Sequence, residues 1–249
     1  MITAYHRPKT LDEALTLLTQ PNRIPLGGGT LLSHTTSDSV EAVDLQALDL
    51  NTVKKSGNNL EIGATVTLQQ LLESELCPEA LKSALKLEAP LNLRNAATVA
   101  GTVVCCDGRS TFATVMLALD AKIDIRNSTS ESQLLNIGDF LPLRNLQRSL
   151  ITAITIPLNV KLAFDYVSRT PADKPIVCAA LAQWNSGRTR LALGGYGKSP
   201  MLAMDGIEAE GVEASARNAF HEANDEWASA EYRMDVAATL AKRCLESIS

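Results

Sequence analysis

The sequence NLRNAATVAGTVVCCDGRST, residues 92–111, is the part of the chain that departs most clearly from ordinary α/β sequence. A second stretch, LGGGTLLS at residues 26–33, has the same character of small residues and few charged side chains. Glycine permits positive φ and close backbone approach, and successive backbone amides form concave sites for anions. The two loops therefore predict a site for a phosphate-bearing ligand, with the rest of the chain as its scaffold.

Neither loop is a complete nucleotide-binding fingerprint. Gly27, Gly28 and Gly29 are consecutive, so the G-x-G-x-x-G spacing is absent, and no Lys-Ser/Thr pair follows as in a P-loop. An ordinary glycine-rich turn between strands explains the triplet as well as a nest of amides around a pyrophosphate does. A tight strand-to-strand turn likewise explains Thr98 and Thr102 as well as phosphate binding does.

The remaining polar groups predict no catalytic or metal-binding residue. We interpret Cys105-Cys106 as small apolar packing and residues 107–110 as a surface turn. His34 follows the glycine loop and is a weaker candidate for ligand contact. No Ser/His/Asp set or pair of carboxylates can be assembled from the sequence.

Composition excludes several classes of protein. The chain has 249 residues, 45% of them apolar, which is enough for the core of one or two domains. A net charge of −5 argues against a nucleic-acid partner. No apolar run reaches the roughly 18–20 residues of a membrane span, and the N-terminus lacks the apolar segment of a signal peptide. The five cysteines are irregularly spaced and fit no disulfide framework, zinc site or iron–sulfur ligand set, so we expect a cytoplasmic protein.

Hydrophobic periodicity and capping residues predict an α+β fold. Helices are expected at 10–20, from Thr67, at 78–88, 111–121 and 229–248. Strands are expected at 24–26, 40–45, 60–66, 122–126 and 150–156, and then at 162–168, 176–184 and 188–196. The last two strands are joined by a hairpin turn at 185–187. The change to strands and then helices after about residue 160 predicts a small second domain. In the last helix, the apolar stripe is expected to contain Tyr232, Ala237, Ala241, Leu245 and Ile248.

Taken in order, five segments resemble the FAD-binding (medium) subunit of the molybdenum hydroxylases, a family that includes xanthine dehydrogenases, aldehyde oxidoreductases and aerobic carbon monoxide dehydrogenases. They are YHRPKTLDEALTLL (5–18), PLGGGTLL (25–32), LEIGATVTLQQLLES (60–74), LRNAATVAGTV (93–103) and ANDEWASAEYRMDVAATLAKRCLES (223–247). The resemblance extends over nearly the whole chain.

The resemblance implies a fold and a function. Residues 1–158 would form a two-subdomain FAD-binding fold of the vanillyl-alcohol-oxidase type, with subdomains at about 1–55 and 56–158. Residues 159–249 would form a carbon monoxide dehydrogenase flavoprotein-type C-terminal domain with three antiparallel strands. The chain would relay electrons through FAD to NAD or another acceptor, within a hetero-oligomer that contains an iron–sulfur small subunit and a molybdopterin large subunit. The flavin would carry the chemistry, which accounts for the missing catalytic residues.

The resemblance also implies the cofactor-binding residues. They are Leu26, Gly27, Gly28, Gly29, Thr30, Leu31, Ser33, Thr98, Gly101 and Thr102, most of them acting through backbone donors. Asp107 is a weaker candidate, which either binds a ribose hydroxyl or caps its own turn.

Four positions depart from the family pattern. Leu31 and Thr111 replace aspartates, Ala100 replaces a glycine and Thr102 replaces an asparagine. Near 164–170, Asp165 or Tyr166 stands where the family often has a lysine. An alternative is therefore a non-catalytic scaffold subunit that binds FAD weakly or not at all. A stand-alone flavoenzyme, such as a cell-wall-precursor reductase, is disfavoured by the family-like SAEYR segment at 229–233.

Overall fold

The computed structural model describes residues 1–32, 39–128, 131–144, 146 and 148–248. The chain forms two compact units, and each is assembled from three separate segments. The first unit contains residues 1–76, 91–105 and 122–155, and the second contains 77–90, 106–121 and 156–249. The domain boundary at 158/159 stays a prediction, because the units follow spatial contacts rather than one cut in the sequence.

A three-stranded parallel sheet opens the first unit. Its strands are β1 (Ile2–His6), β2 (Arg23–Leu26) and β3 (Val40–Asp44), in the order β1-β3-β2. Helix α1 (Leu11–Leu17) begins at Thr10, whose hydroxyl accepts a hydrogen bond from the Glu13 amide, as the capping pattern predicts. Its apolar stripe is buried in a cluster made of Ala14, Leu15, Leu18, Val43, Leu45 and Leu150. The glycine triplet follows β2 directly.

A five-stranded sheet forms the other part of the first unit. In chain order, its strands are β4 (Val53–Ser56), β5 (Asn59–Gly63), β6 (Lys122–Asn127), β7 (Ser132–Asn136) and β8 (Ser149–Pro157). They lie in the order β4-β5-β8-β6-β7. Helices α2 (Leu68–Glu73), α4 (Leu91–Arg94), α5 (Val99–Cys105) and α7 (Ile137–Leu143) occur in the same stretches of chain. Thr67 and Gln70 form the predicted reciprocal cap of α2.

The second unit contains helices α3 (Glu79–Glu88) and α6 (Thr111–Ala118) and an antiparallel sheet. The sheet has four strands, β9 (Val160–Val167), β10 (Val177–Trp184), β11 (Thr189–Gly194) and β12 (Met201–Gly206), in the order β12-β11-β10-β9. The expectation of three strands is therefore wrong. β12 is an edge strand without fully buried residues, so its sequence lacks the long apolar run that identifies β10. The hairpin turn between β10 and β11 is confirmed, with Gly187 at φ 93°.

Two helices complete the second unit, α8 (Val212–Ala219) and α9 (Ala230–Ile248). The predicted bounds of α9 and the burial of Ala237, Ala241 and Ile248 are confirmed. The position of Tyr232 on the apolar stripe is wrong, because its side chain is 43% exposed. Arg233 is the residue buried at this level of the helix, where backbone carbonyls satisfy its guanidinium.

The fold is thus a mixture of helices and several sheets, as the α+β prediction requires. No helix in the described ranges is both long enough and apolar enough to cross a membrane.

Candidate cofactor site

Residues 98–103 begin a helix, so the interpretation of this stretch as a strand-to-strand turn is wrong. The Thr98 hydroxyl accepts a hydrogen bond from the Gly101 amide (3.2 Å), and the Thr102 hydroxyl donates to the Thr98 carbonyl (2.9 Å). The first turn of α5 also lies against the chain at 64–66, where the Val99 amide donates to the Val66 carbonyl (2.9 Å). These contacts fix the start of α5 within the first unit.

The glycine loop is in close contact with the segment that leads into α5. A Cβ atom at Gly28 would lie 1.6 Å from the Ala96 carbonyl oxygen, and one at Gly27 would lie 2.8 Å from the Thr98 hydroxyl oxygen. Gly29 has φ 72°, in the left-handed region that favours glycine. Gly27 and Gly28 are therefore required by the close contact between the two loops, and Gly29 is favoured by its backbone conformation.

The two loops together line a cavity of about 340 Å³, which we call the glycine cavity. Its lining consists of residues 24–32 with Thr98, Gly101, Thr102, Val104 and Cys105. The structure thus brings nearly all the predicted site residues to one place, and every one of them comes from the first unit.

A smaller cavity of about 130 Å³, which we call the apolar cavity, shares part of this wall. Both cavities are lined by Pro25, Gly27, Thr98, Gly101, Val104 and Cys105. The other lining residues of the apolar cavity are Leu45, Ala64, Thr65, Ala100, Leu146, Ser149, Leu150 and Ile151. The sequence pattern predicted burial for several of these strand residues but gave no sign that they face a cavity.

The donors at the glycine cavity suit a diphosphate. Among the described residues, the backbone amides of Gly27, Gly28, Thr30 and Leu31 have no hydrogen-bond partner. No charged side chain is among the described residues that line the two cavities, so these residues would hold an anion through amide dipoles and hydroxyl groups. A dinucleotide cofactor with a diphosphate and two ring systems fits this combination of donors and apolar wall.

The start of α5 offers a different kind of donor from the glycine loop. The amides of residues 99–102 already donate to the Val66, Ala64 and Thr98 groups of the protein. The Thr98 hydroxyl oxygen accepts from Gly101, and its own proton is left to donate into the cavities that it lines. We therefore expect the second loop to contact a ligand through the Thr98 side chain more than through its amides.

Of the candidate positions, Asp107 is described but is not among the residues that line either cavity. Ser33 and His34 lie outside the described residues. Asp107 belongs to the second unit, where it accepts a hydrogen bond from the Arg109 amide (2.9 Å) and pairs with Lys174 (3.2 Å). These contacts match the turn-capping alternative, and a ribose contact by Asp107 stays a prediction.

The segment at 107–110 is more than a surface turn, because Gly108 and Ser110 are buried. The Gly108 amide donates to the Gly197 carbonyl (2.9 Å), and the Gly195 amide donates to the Gly108 carbonyl (2.6 Å). A Cβ atom at Gly108 would lie 1.8 Å from the Tyr196 carbonyl oxygen. The sequence interpretation was wrong here, because the contacting loop lies far along the chain.

Glu88 organises the helix that follows this segment. One of its carboxylate oxygens, Oε2, accepts hydrogen bonds from the Phe112 amide (2.8 Å), the Ser110 hydroxyl (2.9 Å) and the Thr111 hydroxyl (3.1 Å). Burial raises the pKa of Glu88, and these hydrogen bonds offset only part of that effect. Thr111, where the resemblance leads one to expect an aspartate, is thus fully buried beside a carboxylate from α3.

We expect Glu88→Ala to lower the free energy of unfolding by about 2 kcal/mol, because the Phe112 amide and the Ser110 hydroxyl lose their acceptor. The Thr111 hydroxyl keeps the Ala84 carbonyl as an acceptor (2.7 Å). Glu88→Gln keeps an acceptor oxygen and should cost much less. Because the folded-state pKa is raised, the stability due to Glu88 is complete below its unfolded pKa and is lost as pH rises through the folded value. Denaturant unfolding from pH 4 to 8 should therefore show wild type losing stability relative to Glu88→Gln, and a relative gain would contradict this account.

All five cysteines are free. Cys106 is buried, as the packing interpretation requires, whereas Cys105 is exposed and lines both cavities. Burial raises the pKa of the Cys77, Cys178 and Cys244 thiols to about 12. Among the described residues, no group of three or more His, Cys, Asp or Glu side chains is placed to hold a metal ion.

Comparison with known proteins gives a consistent result. Residues 1–159 match the family model described as the FAD binding domain in molybdopterin dehydrogenase. The chain is 29% identical to Escherichia coli (strain K12) uncharacterized protein YgfM, over 96% of this chain and 94% of that protein. It is 25% identical to the glyceraldehyde dehydrogenase medium chain of Sulfolobus acidocaldarius, over 99% of this chain and 98% of that protein.

The fold also matches a solved structure. A chain of the reconstituted CO dehydrogenase from Oligotropha carboxidovorans superposes with a TM-score of 0.84 and 23% identity, over 98% of this chain and 96% of that one. At this identity the match establishes the fold alone. The family match, over residues 1–159, extends over more than half of the chain and includes both loops of the glycine cavity. The chain therefore belongs to the FAD-binding domain family of the molybdopterin dehydrogenases, as a flavin-binding component of a dehydrogenase whose cofactor is FAD.

Proposed function

We propose that this chain binds FAD in the glycine and apolar cavities and relays electrons from iron–sulfur clusters to NAD or another acceptor. The single observation that carries the proposal is that the two predicted loops line one cavity within a chain of this family. When bound, FAD accepts and donates electrons one or two at a time, which suits it to join single-electron carriers to a two-electron acceptor. The protein's part is to bind and orient it.

The residues of the first unit have separate parts in that binding. The amides of Gly27, Gly28 and Thr30 would hold the diphosphate, and the Thr98 hydroxyl would donate to it from the opposite loop. Leu26, Gly29, Leu31, Gly101 and Thr102 line the same cavity and are proposed to contact the cofactor there. The apolar cavity, lined by side chains such as Leu150 and Ile151, would exclude water from one ring system of the cofactor.

The two-subdomain arrangement of the vanillyl-alcohol-oxidase type is part of the proposal. It is supported by the presence of two separate sheets in the first unit, the parallel β1-β3-β2 sheet and the five-stranded sheet. The subdomain limit near 55 rests on the resemblance, and the sheets support a limit just before β4 (Val53–Ser56), which pairs with β5. The C-terminal domain at 159–249 is supported by the sheet β9–β12 and helices α8 and α9, which all lie in that range.

The partners are proposed from the relatives. The Sulfolobus relative is named a medium chain of glyceraldehyde dehydrogenase, a name that implies other chains. We infer a hetero-oligomer with an iron–sulfur small subunit and a molybdopterin large subunit. Five free cysteines agree with a reducing compartment, so we place the assembly in the cytoplasm.

The test is to assemble the chain with its iron–sulfur and molybdopterin subunits and to measure acceptor reduction at several degrees of FAD loading. Electron relay predicts acceptor reduction in proportion to bound FAD. The alternative, a scaffold subunit, is favoured by the departures at Leu31 and Ala100, both of which line the cavities. Full acceptor reduction by an FAD-free assembly would support the scaffold and contradict the relay.

We expect FAD to protect Cys105 from alkylation, because this exposed thiol lines both cavities. Without FAD, N-ethylmaleimide should modify mainly Cys105, since the other four thiols are buried. Saturating FAD should slow the reaction about tenfold or more, as measured by intact-protein mass spectrometry. Cys105→Ser serves as the control, and it should lose the reaction while retaining FAD. Equal alkylation rates with and without FAD would rule out this location for the cofactor.

A further inference from the structure

Ala100 occupies a special place in the wall of the apolar cavity. Of the two cavities it lines only the apolar one, whereas Thr102, in the same turn of α5, lines only the glycine cavity. Val99 and Val103 have no exposed surface and anchor the neighbouring face of the helix in the core. Ala100 is thus the residue at the start of α5 that lines the apolar cavity and not the glycine cavity.

The backbone at this position is held on both sides. The Ala100 amide donates to the Ala64 carbonyl (3.3 Å), and the neighbouring Val99 amide donates to the Val66 carbonyl (2.9 Å). Thr98, two residues before Ala100, accepts hydrogen bonds from the Gly101 amide and the Thr102 hydroxyl. Since α5 cannot shift without breaking these bonds, we expect a larger side chain at position 100 to reduce the volume of the cavity that this residue lines.

We propose that Ala100 is a specificity-determining residue that limits the size of the ring system admitted by the apolar cavity. The proposal rests on the proposed FAD site, since FAD carries a flat ring system at each end of its diphosphate. The apolar cavity is small, about 130 Å³ against about 340 Å³ for the glycine cavity that shares its wall. A ring that extended from a diphosphate in the glycine cavity into the apolar cavity would enter the space that Ala100 borders.

The experiment uses the full chain and measures the dissociation constants of FAD and FMN by fluorescence titration. Position 100 is changed to Gly, Ser and Val, and folding of each variant is checked by its melting temperature. Ala80 is the matched control, because it is also the second residue of a helix, is half-buried and lines neither cavity. Ala80→Gly and Ala80→Val therefore report the cost of the same substitutions in a helix alone.

We expect FAD affinity to decrease from Gly to Ala to Ser to Val at position 100. The Gly variant should bind FAD as tightly as wild type or more tightly. Val should weaken binding about tenfold or more, because an overpacked wall excludes the ring. If Val prevents folding, Ser provides the test with a smaller increase in size. Unchanged FAD affinity in folded Ala100→Ser and Ala100→Val overturns the proposal, as does a fivefold loss with Ala100→Gly.

FMN identifies the ring, because it lacks the adenylate half of FAD. A Val substitution that weakens FAD binding and spares FMN binding places the adenine ring against Ala100, and equal weakening places the isoalloxazine there. Either result supports a size limit at Ala100. Wild type that binds neither flavin contradicts the proposed function itself, a result distinct from variants that all bind alike.

Discussion

Gly28→Ala is expected to abolish FAD retention and to destabilise the protein before any cofactor is added. The new methyl carbon would lie 1.6 Å from the Ala96 carbonyl oxygen, so the glycine loop and the segment leading into α5 would have to separate. Overpacking of this kind costs about 1–3 kcal/mol, and the glycine cavity is lined by the same loop. The measurements are FAD retained after desalting and denaturant unfolding of the FAD-free chain.

Gly57→Ala is the control for Gly28→Ala. Gly57 lies in the turn between β4 and β5 at φ 59°, and a Cβ atom there would meet nothing within 4 Å. The substitution should cost about 1–2 kcal/mol from the left-handed conformation alone and leave FAD retention intact. If Gly28→Ala lost FAD while the FAD-free chain kept full stability, the glycine would be required only for cofactor approach, and the proposed contact between the loops would be wrong.

Arg233→Met is expected to lower the free energy of unfolding by about 3 kcal/mol. Arg233 is fully buried, and its guanidinium donates to the Ala223 carbonyl (2.7 Å), the Ala228 carbonyl (2.9 Å) and the Asp225 carboxylate (2.8 Å). Methionine fills similar space but removes all three hydrogen bonds, including the charge-assisted bond to Asp225. Thermal unfolding should show a decrease of about 6–12 °C in melting temperature.

Arg243→Met is the matched control on the same helix. The Arg243 side chain is 62% exposed, and its ion pair with Asp165 measures 3.6 Å. Exposed pairs of this kind contribute about 0–1 kcal/mol, so the melting temperature should change little. Similar losses of melting temperature for Arg233→Met and Arg243→Met would contradict a structural role for the buried guanidinium.

Much of the fold could be predicted from local sequence signals. α1, α2 and α9 were predicted because caps and apolar stripes act within one helix. β10 contains a long apolar run, and a hairpin turn joins it to β11. β1 was missed, because it is an edge strand whose Ile2 and Tyr5 side chains are largely exposed. α5 was missed because its small residues form no apolar stripe of the usual width.

The sequence predicted the two loops of the candidate site but not the contacts between them. Glycine content identified residues 27–29, and the resemblance identified Thr98, Gly101 and Thr102. The reason for the glycines was not accessible from the sequence, because the Ala96 carbonyl reaches Gly28 only after the chain has folded. The role of Glu88 was hidden for the same reason. It precedes α6 by more than twenty residues, yet its carboxylate accepts hydrogen bonds from the start of that helix, at Ser110 and Phe112. Local patterns identify helices and turns, whereas contacts between distant segments depend on the complete fold.

The most direct test of the central claim is an absorbance spectrum of the purified chain after incubation with FAD and desalting. A cofactor site formed by the glycine loop and α5 predicts retained flavin bands at about one FAD per chain, and loss of those bands in Gly28→Ala but not in Gly57→Ala. A folded wild-type chain that retains no flavin, or a Gly28→Ala variant that retains as much as wild type, would contradict the claim.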